Sequence, residues 1–163
     1  MKRAVRLLLH YQGLWMKSSD CKLIHIEDNV DDSEVFQIIL KQSGINIPIK
    51  SFSDGKSAFD FLKDLISSEE ASNFLVILDL NLPLMTGSEI LKELNESDKT
   101  NQIPIIVFSG SENPEDKKLC LSLGARMFFI KPWNLNGYRE FINGPFMNEL
   151  QKICPEFEPH HAP

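Results

Sequence analysis

Five short apolar runs, each followed by a segment with helical periodicity, constrain this chain more than any other feature. The runs cover 22–26, 47–52, 74–80, 104–108 and 127–130. Their length and their content of Ile, Val, Leu and Phe suit buried parallel strands, which need not alternate with polar residues. Phe74-Leu75-Val76-Ile77-Leu78 is apolar throughout and belongs at the centre of the sheet.

The segments between them read as helices. Asp31 or Asp32 is placed to cap a first helix carrying Val35, Phe36, Ile38, Ile39 and Leu40, ended by Gly44. Ser53 or Asp54 opens a second, with Ala58, Phe59, Phe61, Leu62, Leu65 and Ile66 turned inward, and 67–73 is a loop. A third over 86–96 carries Ile90, Leu91 and Leu94, and a fourth over 114–123 starts at Pro114. The fifth spans about 136–150, with Gly144-Pro145 set to kink or interrupt it. The order predicts an α/β fold, a (βα)5 doubly wound five-stranded parallel sheet with helices on both faces. Ligands bind such sheets outside the carboxyl ends of the strands.

A length of 163 residues suits one domain, and 42% hydrophobic with 25% charged residues is ordinary for a globular protein. The formal charge of −6 and the lack of a dense Lys/Arg run argue against a nucleic-acid surface. No apolar run approaches the ~20 residues a membrane span needs. Cys21, Cys120 and Cys154 show no CxxC or Cys/His ligand spacing and read as reduced thiols of a cytoplasmic protein.

Residues 1–20 read as an N-terminal extension, disordered or loosely attached, or produced by an upstream start with Met16 as the true one. Its Lys2, Arg3 and Arg6 before Leu7-Leu8-Leu9 imitate a secretion signal too weakly to be one. Residues 21–151 form the domain. Residues 152–163 are a Pro-rich tail in which His160 and His161 are solvated rather than metal ligands.

The strand ends carry the chemistry. The first run finishes in Glu27-Asp28, the third in Asp79, the fourth in Ser109 and the fifth in Lys131-Pro132. Singly, these read as capping acids, a turn serine and a surface lysine. Together they place three carboxylates, a hydroxyl and an ammonium on one rim. Crowded carboxylates repel and lose hydration, so they need positive compensation. Mg²⁺ suits them, because it takes a few carboxylate oxygens plus water and phosphate. Asp79 then reads as a nucleophile, with Ser109 and Lys131 placed to stabilise a phosphoryl group.

At these positions the chain resembles the receiver domains of two-component response regulators. The resemblance rests on Leu23-Ile24-His25-Ile26-Glu27-Asp28-Asn29, Val76-Ile77-Leu78-Asp79-Leu80-Asn81-Leu82-Pro83, Gly87, Ile103 through Ser109, Gly124-Ala125 and Lys131-Pro132, over roughly 22–150. Any one segment is weak evidence; their order at successive strand ends is specific. The Glu27-Asp28-Asn29 opening with Asp32, and Leu80-Asn81-Leu82-Pro83, look most like stand-alone receivers paired with phytochrome-type or hybrid histidine kinases.

The resemblance implies a flavodoxin-like fold with strand order 2-1-3-4-5 and a phosphoryl group accepted on Asp79 from a histidine kinase or phosphotransfer protein. It implies Mg²⁺ held by Glu27, Asp28, Asp79 and the backbone carbonyl of Asn81. It also implies phosphoryl contacts from Ser109 and Lys131, and a cis peptide before Pro132 that aims Lys131. Ser109 and Phe128 form the switch pair, and Asn81 and Ser111 tune the lifetime of the phosphoryl group.

With no DNA-binding module readable after the last helix, output is expected through protein contacts to an unknown downstream partner. The face made by the fourth helix, fifth strand and fifth helix is the expected surface, and a homodimer through it is compatible. Two other classes stay open: a degenerate receiver that only binds partners, and an aspartyl-phosphate phosphatase of haloacid-dehalogenase type. The latter calls for a second Asp where this chain has Asn81, and for a cap domain.

Overall fold

All five residues of the strand Phe74–Leu78 are buried, as a strand with neighbours on both edges and helices on both faces must be. The computed structural model describes residues 21–68, 70–97 and 100–159; the expected extension over 1–20 and His160-His161 lie outside them. The strands are β1 (Lys22–Ile26), β2 (Ile49–Phe52), β3 (Phe74–Leu78), β4 (Ile105–Ser109) and β5 (Met127–Ile130). They form one parallel sheet in the order 2-1-3-4-5, the order and fold expected from the sequence.

The helices are α1 (Val30–Gln42), α2 (Gly55–Ile66), α3 (Gly87–Glu96), α4 (Pro114–Ser122), α5 (Leu135–Phe141) and α6 (Met147–Ile153), the last two joined by a π-helical turn at Ile142–Phe146. Alternate strand residues feed opposite faces. Ile24, Val76, Leu78, Ile105 and Val107 meet Ala58, Leu62, Ile90 and Leu91 of α2 and α3 in an aliphatic core. Leu23, Leu75, Ile77, Ile106 and Phe108 meet Phe36, Tyr138, Phe141 and Phe146 in an aromatic one. Phe108 stacks on Phe141 at 4.5 Å between centroids and meets Tyr138 edge-on at 5.5 Å.

Several local expectations are corrected. Asn29, not Asp31 or Asp32, caps α1: its Oδ1 accepts the Asp32 N–H at 3.1 Å, leaving the two acids in the first turn, where the helix dipole favours them. Ile38 is 52% exposed, because the inward stripe of α1 passes through Phe36, Ile39 and Leu40. Phe59 and Phe61 are half-buried. The interruption expected at Gly144-Pro145 is present: a π-helical turn separates α5 from α6 there and accommodates Pro145, whose missing N–H would break an α ladder. Beyond residue 151 the chain still packs: Phe157 is buried in the aromatic core.

The thiols are corrected too. Cys21 and Cys154 are paired in a disulfide with Cα atoms 6.2 Å apart, and only Cys120, buried, is free among the described residues. A sequence separation of 133 hid that pairing from any spacing rule. The peptide before Pro132 is trans, since the described residues contain no cis bond. The β-ladder aims Lys131 without it, through the Lys131 N–H donated to the Ser109 carbonyl at 2.8 Å.

Candidate functional site at the carboxyl rim of the sheet

Backbone ladders bring the rim together. The Glu27 N–H donates to the Phe52 carbonyl at 2.9 Å, and the Asp79 N–H to the Ile26 carbonyl at 3.0 Å. Each functional residue therefore leaves its strand at nearly the same level. After Asp79 the chain turns sharply. Leu84 sits at φ 66°, and the Met85 N–H donates to the Pro83 carbonyl at 2.8 Å, a three-residue turn that costs a non-glycine residue backbone strain. Gly87 then lets α3 approach closely: a Cβ there would lie 2.2 Å from the Asp79 carbonyl oxygen.

A cavity of about 300 Å³ is lined by Glu27, Asp28, Asn29, Asp32, Asp79, Asn81, Gly110 and Lys131. Asp79 is buried. Its Oδ1 accepts the Leu80 N–H at 2.6 Å and its Oδ2 lies 3.0 Å from Lys131 Nζ. Lys131 also pairs with Glu27 Oε2 at 2.5 Å and Asp32 Oδ2 at 3.0 Å, so one ammonium serves three carboxylates. Glu27 Oε1 accepts the Asn29 N–H at 3.1 Å.

The electrostatics follow from that crowding. Burial pushes the Glu27 carboxyl up to about 7, and the Lys131 hydrogen bond only partly opposes it. Burial alone would lower the Lys131 ammonium, but its Glu27 hydrogen bond and the charges of Asp79 and Glu27 carry it above the ordinary lysine value. His25, beneath the site on β1, is brought down to about 4 by burial and then by the Lys131 charge.

Two features suit the binding of a cation and of an anion. Glu27, Asp28 and Asp79 offer oxygens within 4.8 Å of one another, two of the three residues being buried. Hard carboxylate donors with one face open to solvent match Mg²⁺ or Mn²⁺. Ser109 is fully buried, and its Oγ has no hydrogen-bond partner. Such a group is costly unless a ligand completes it.

The remaining expected positions divide. Asn81 lines the cavity. Ser111 does not: its hydroxyl donates to Asp116 Oδ2 and accepts the Asn113 N–H, committing it to the start of α4. Phe128 lies inward, 7% exposed in the aliphatic core. Trp133, just beyond Lys131-Pro132, is 94% exposed. The sequence reading gave Asp32 no place in the site. Its signal was slight, an acid in the first turn of α1 that is 99 residues from its lysine partner.

The model of the response regulator receiver domain matches residues 23–143. Response regulator Rcp1 of Synechocystis sp. is 30% identical over 123 residues, covering 75% of this chain and 84% of Rcp1. Its Mn(2+)-bound structure superimposes with a TM-score of 0.63 at 28% identity, over 76% of this chain and 93% of that one. A receiver domain from Rhodospirillum rubrum gives 0.65 at 30% identity, over 80% and 95%. The phosphorylated cyanobacterial phytochrome response regulator RcpA gives 0.66 at 27% identity, over 83% and 94%.

Proposed function

Since the chain belongs to the response regulator receiver domain family, we propose that it accepts a phosphoryl group on Asp79 in a magnesium-dependent reaction. The donor is the phosphohistidine of a histidine kinase or phosphotransfer protein. The observation that carries this reading is a buried Asp79 with one oxygen fixed by the Leu80 N–H, the other facing Lys131, and Glu27 and Asp28 within cation-binding reach.

An Asp79 carboxylate oxygen attacks phosphorus as the phosphorus–nitrogen bond to the donor imidazole breaks, and the aspartyl phosphate is later hydrolysed. Glu27, Asp28, Asp79 and the Asn81 carbonyl are the residues that would hold the cation. Bound Mg²⁺ supplies charge neutralisation for the phosphoryl oxygens. Lys131 turns its ammonium from Asp79 to a phosphoryl oxygen, and the Ser109 hydroxyl gains the partner it lacks.

Drawing Ser109 toward that oxygen is the local event that biases a two-state equilibrium, with Phe128 as the aromatic partner. Asn81 at the cavity mouth tunes the lifetime of the phosphoryl group, and Ser111 does so only after leaving Asp116. Output passes through protein contacts on the α4–β5–α5 face, where Leu119, Leu121, Ile130 and Leu135 are exposed. That face also suits a homodimer. The likeness to Rcp1 and RcpA supports a phytochrome-type kinase as partner, and the same reading places the protein in the cytoplasm, where the facing Cys21 and Cys154 are kept reduced until oxidising conditions close their disulfide.

The test is phosphorylation of the purified protein by acetyl phosphate, with and without Mg²⁺, beside Asp79→Asn. The expected result is a Mg²⁺-dependent mass gain of one phosphate, absent in the variant. No gain and no Mg²⁺ binding would instead identify a phosphorylation-independent binding module. Sustained release of many phosphates per chain from phosphomonoesters would identify a phosphatase.

A further inference from the structure

Lys131 has three N–H bonds, and three carboxylates face it: Glu27, Asp32 and Asp79. They are not equivalent. Glu27 and Asp79 belong to the trio whose oxygens converge on a cation position; Asp32 does not. A divalent cation competes with the ammonium for the lone pairs of Glu27 and Asp79, and a phosphoryl group removes the charge of Asp79 altogether. Asp32 is the one partner that neither event consumes.

Its placement fits that part. Asp32 sits on the first turn of α1, where its N–H is tied to Asn29 Oδ1, so its backbone is fixed by the cap rather than by the site. Its side chain is 38% exposed, against 3% for Glu27 and 6% for Asp79. Water therefore still reaches it, and it meets the ammonium at little desolvation cost.

From this geometry, and resting on the phosphoacceptor reading above, we infer that Asp32 is a positioning residue. It holds the Lys131 ammonium over the pocket while the cation occupies Glu27 and Asp79, and it delivers that ammonium to the incoming phosphoryl group. Asp32 touches neither the phosphorus nor the cation; it acts through Lys131.

The experiment compares wild type, Asp32→Asn, Asp32→Glu, Lys131→Met and the Asp32→Asn/Lys131→Met double variant. In Mg²⁺-loaded protein without any phosphodonor, the Lys131 ammonium is followed by ¹⁵N NMR of lysine side chains. A held ammonium exchanges slowly and gives a resolved signal. That signal is expected in wild type and lost in Asp32→Asn. With acetyl phosphate, Asp32→Asn is expected to lower the maximal phosphorylation rate about tenfold, the loss of one charge-assisted hydrogen bond. The half-saturating donor concentration is expected to stay unchanged, and Asp32→Glu to recover part of the rate. In the Lys131→Met background Asp32→Asn should change the rate less than about twofold.

Two results would overturn the inference: a Lys131 signal that survives in Asp32→Asn, or an equal rate loss in both backgrounds, which would make Asp32 a general charge effect. A wild type that never takes up phosphate would sink the phosphoacceptor reading instead. The NMR comparison would still decide whether Asp32 holds Lys131.

Discussion

The two ends of the sheet are built on opposite principles. At the amino end the groups are apolar or paired: Ile45, Ile47 and Phe157 close the aromatic core, and the Cys21–Cys154 disulfide ties β1 to the end of α6. At the carboxyl end buried carboxylates outnumber the one ammonium that serves them, a hydroxyl is orphaned and Leu84 is held at positive φ. One sheet thus carries its surplus stability at one end and its unmet interactions at the other. The difference locates where a ligand can still gain free energy, and ligand should rescue mutations at the carboxyl end but not those at the amino end.

The largest effect should come from Lys131→Met. It leaves Glu27 and Asp79 buried without a cation, a loss of about 3–5 kcal/mol by urea denaturation, much of which Mg²⁺ restores. Cys154→Ser at the other end should cost the oxidised protein about 2–4 kcal/mol, leave the reduced protein nearly unchanged, and respond to Mg²⁺ no differently from wild type. A Cys154→Ser variant that recovers with Mg²⁺ would erase the contrast between the ends.

Smaller is a pH effect in metal-free protein. Burial holds the folded His25 imidazole down at about 4, against an ordinary value of 6.5, so the unfolded chain binds more protons and stability rises with pH between those values. Glu27 titrates near 7 against 4.5, so the folded chain binds more protons and stability falls with pH between those values. The two slopes oppose each other from 4.5 to 6.5, and stability should be nearly flat there. His25→Gln should unmask a decline of about 2 kcal/mol over that window; a variant as flat as wild type would contradict the balance. The smallest effect is Ser109→Ala. Removing an unsatisfied hydroxyl should stabilise the apo protein by roughly 1 kcal/mol while slowing phosphorylation, so stability and activity part at one atom.

The legibility of the sequence followed the same division. The strands could be read because charged residues break their apolar runs at Glu27, Asp79 and Lys131, and with the strands came the rim. Local chemistry with several adequate solutions could not be read. Asn29, Asp31 and Asp32 are all competent caps, and only backbone geometry chose among them. Ser111 was assigned to the phosphoryl group by position, while Asp116, five residues on, holds its hydroxyl. The Asp32–Lys131 and Cys21–Cys154 contacts span 99 and 133 residues and leave no periodic trace.

The π-helical turn has a consequence for everything after it. An α-helix advances about 100° per residue, so residues five apart point roughly 140° away from each other. Phe141 and Phe146 are five apart, yet both are fully buried with ring centroids 6.2 Å apart. The wide turn acts as a phase shifter, inserting one residue and rotating the remainder of the helix to match. Leu150 reaches the core and Cys154 faces Cys21 because of that added angle. The covalent clasp at the far end of the sheet is thus aligned by residue count, and deleting Gly144 would misdirect it without altering a single side chain that it uses.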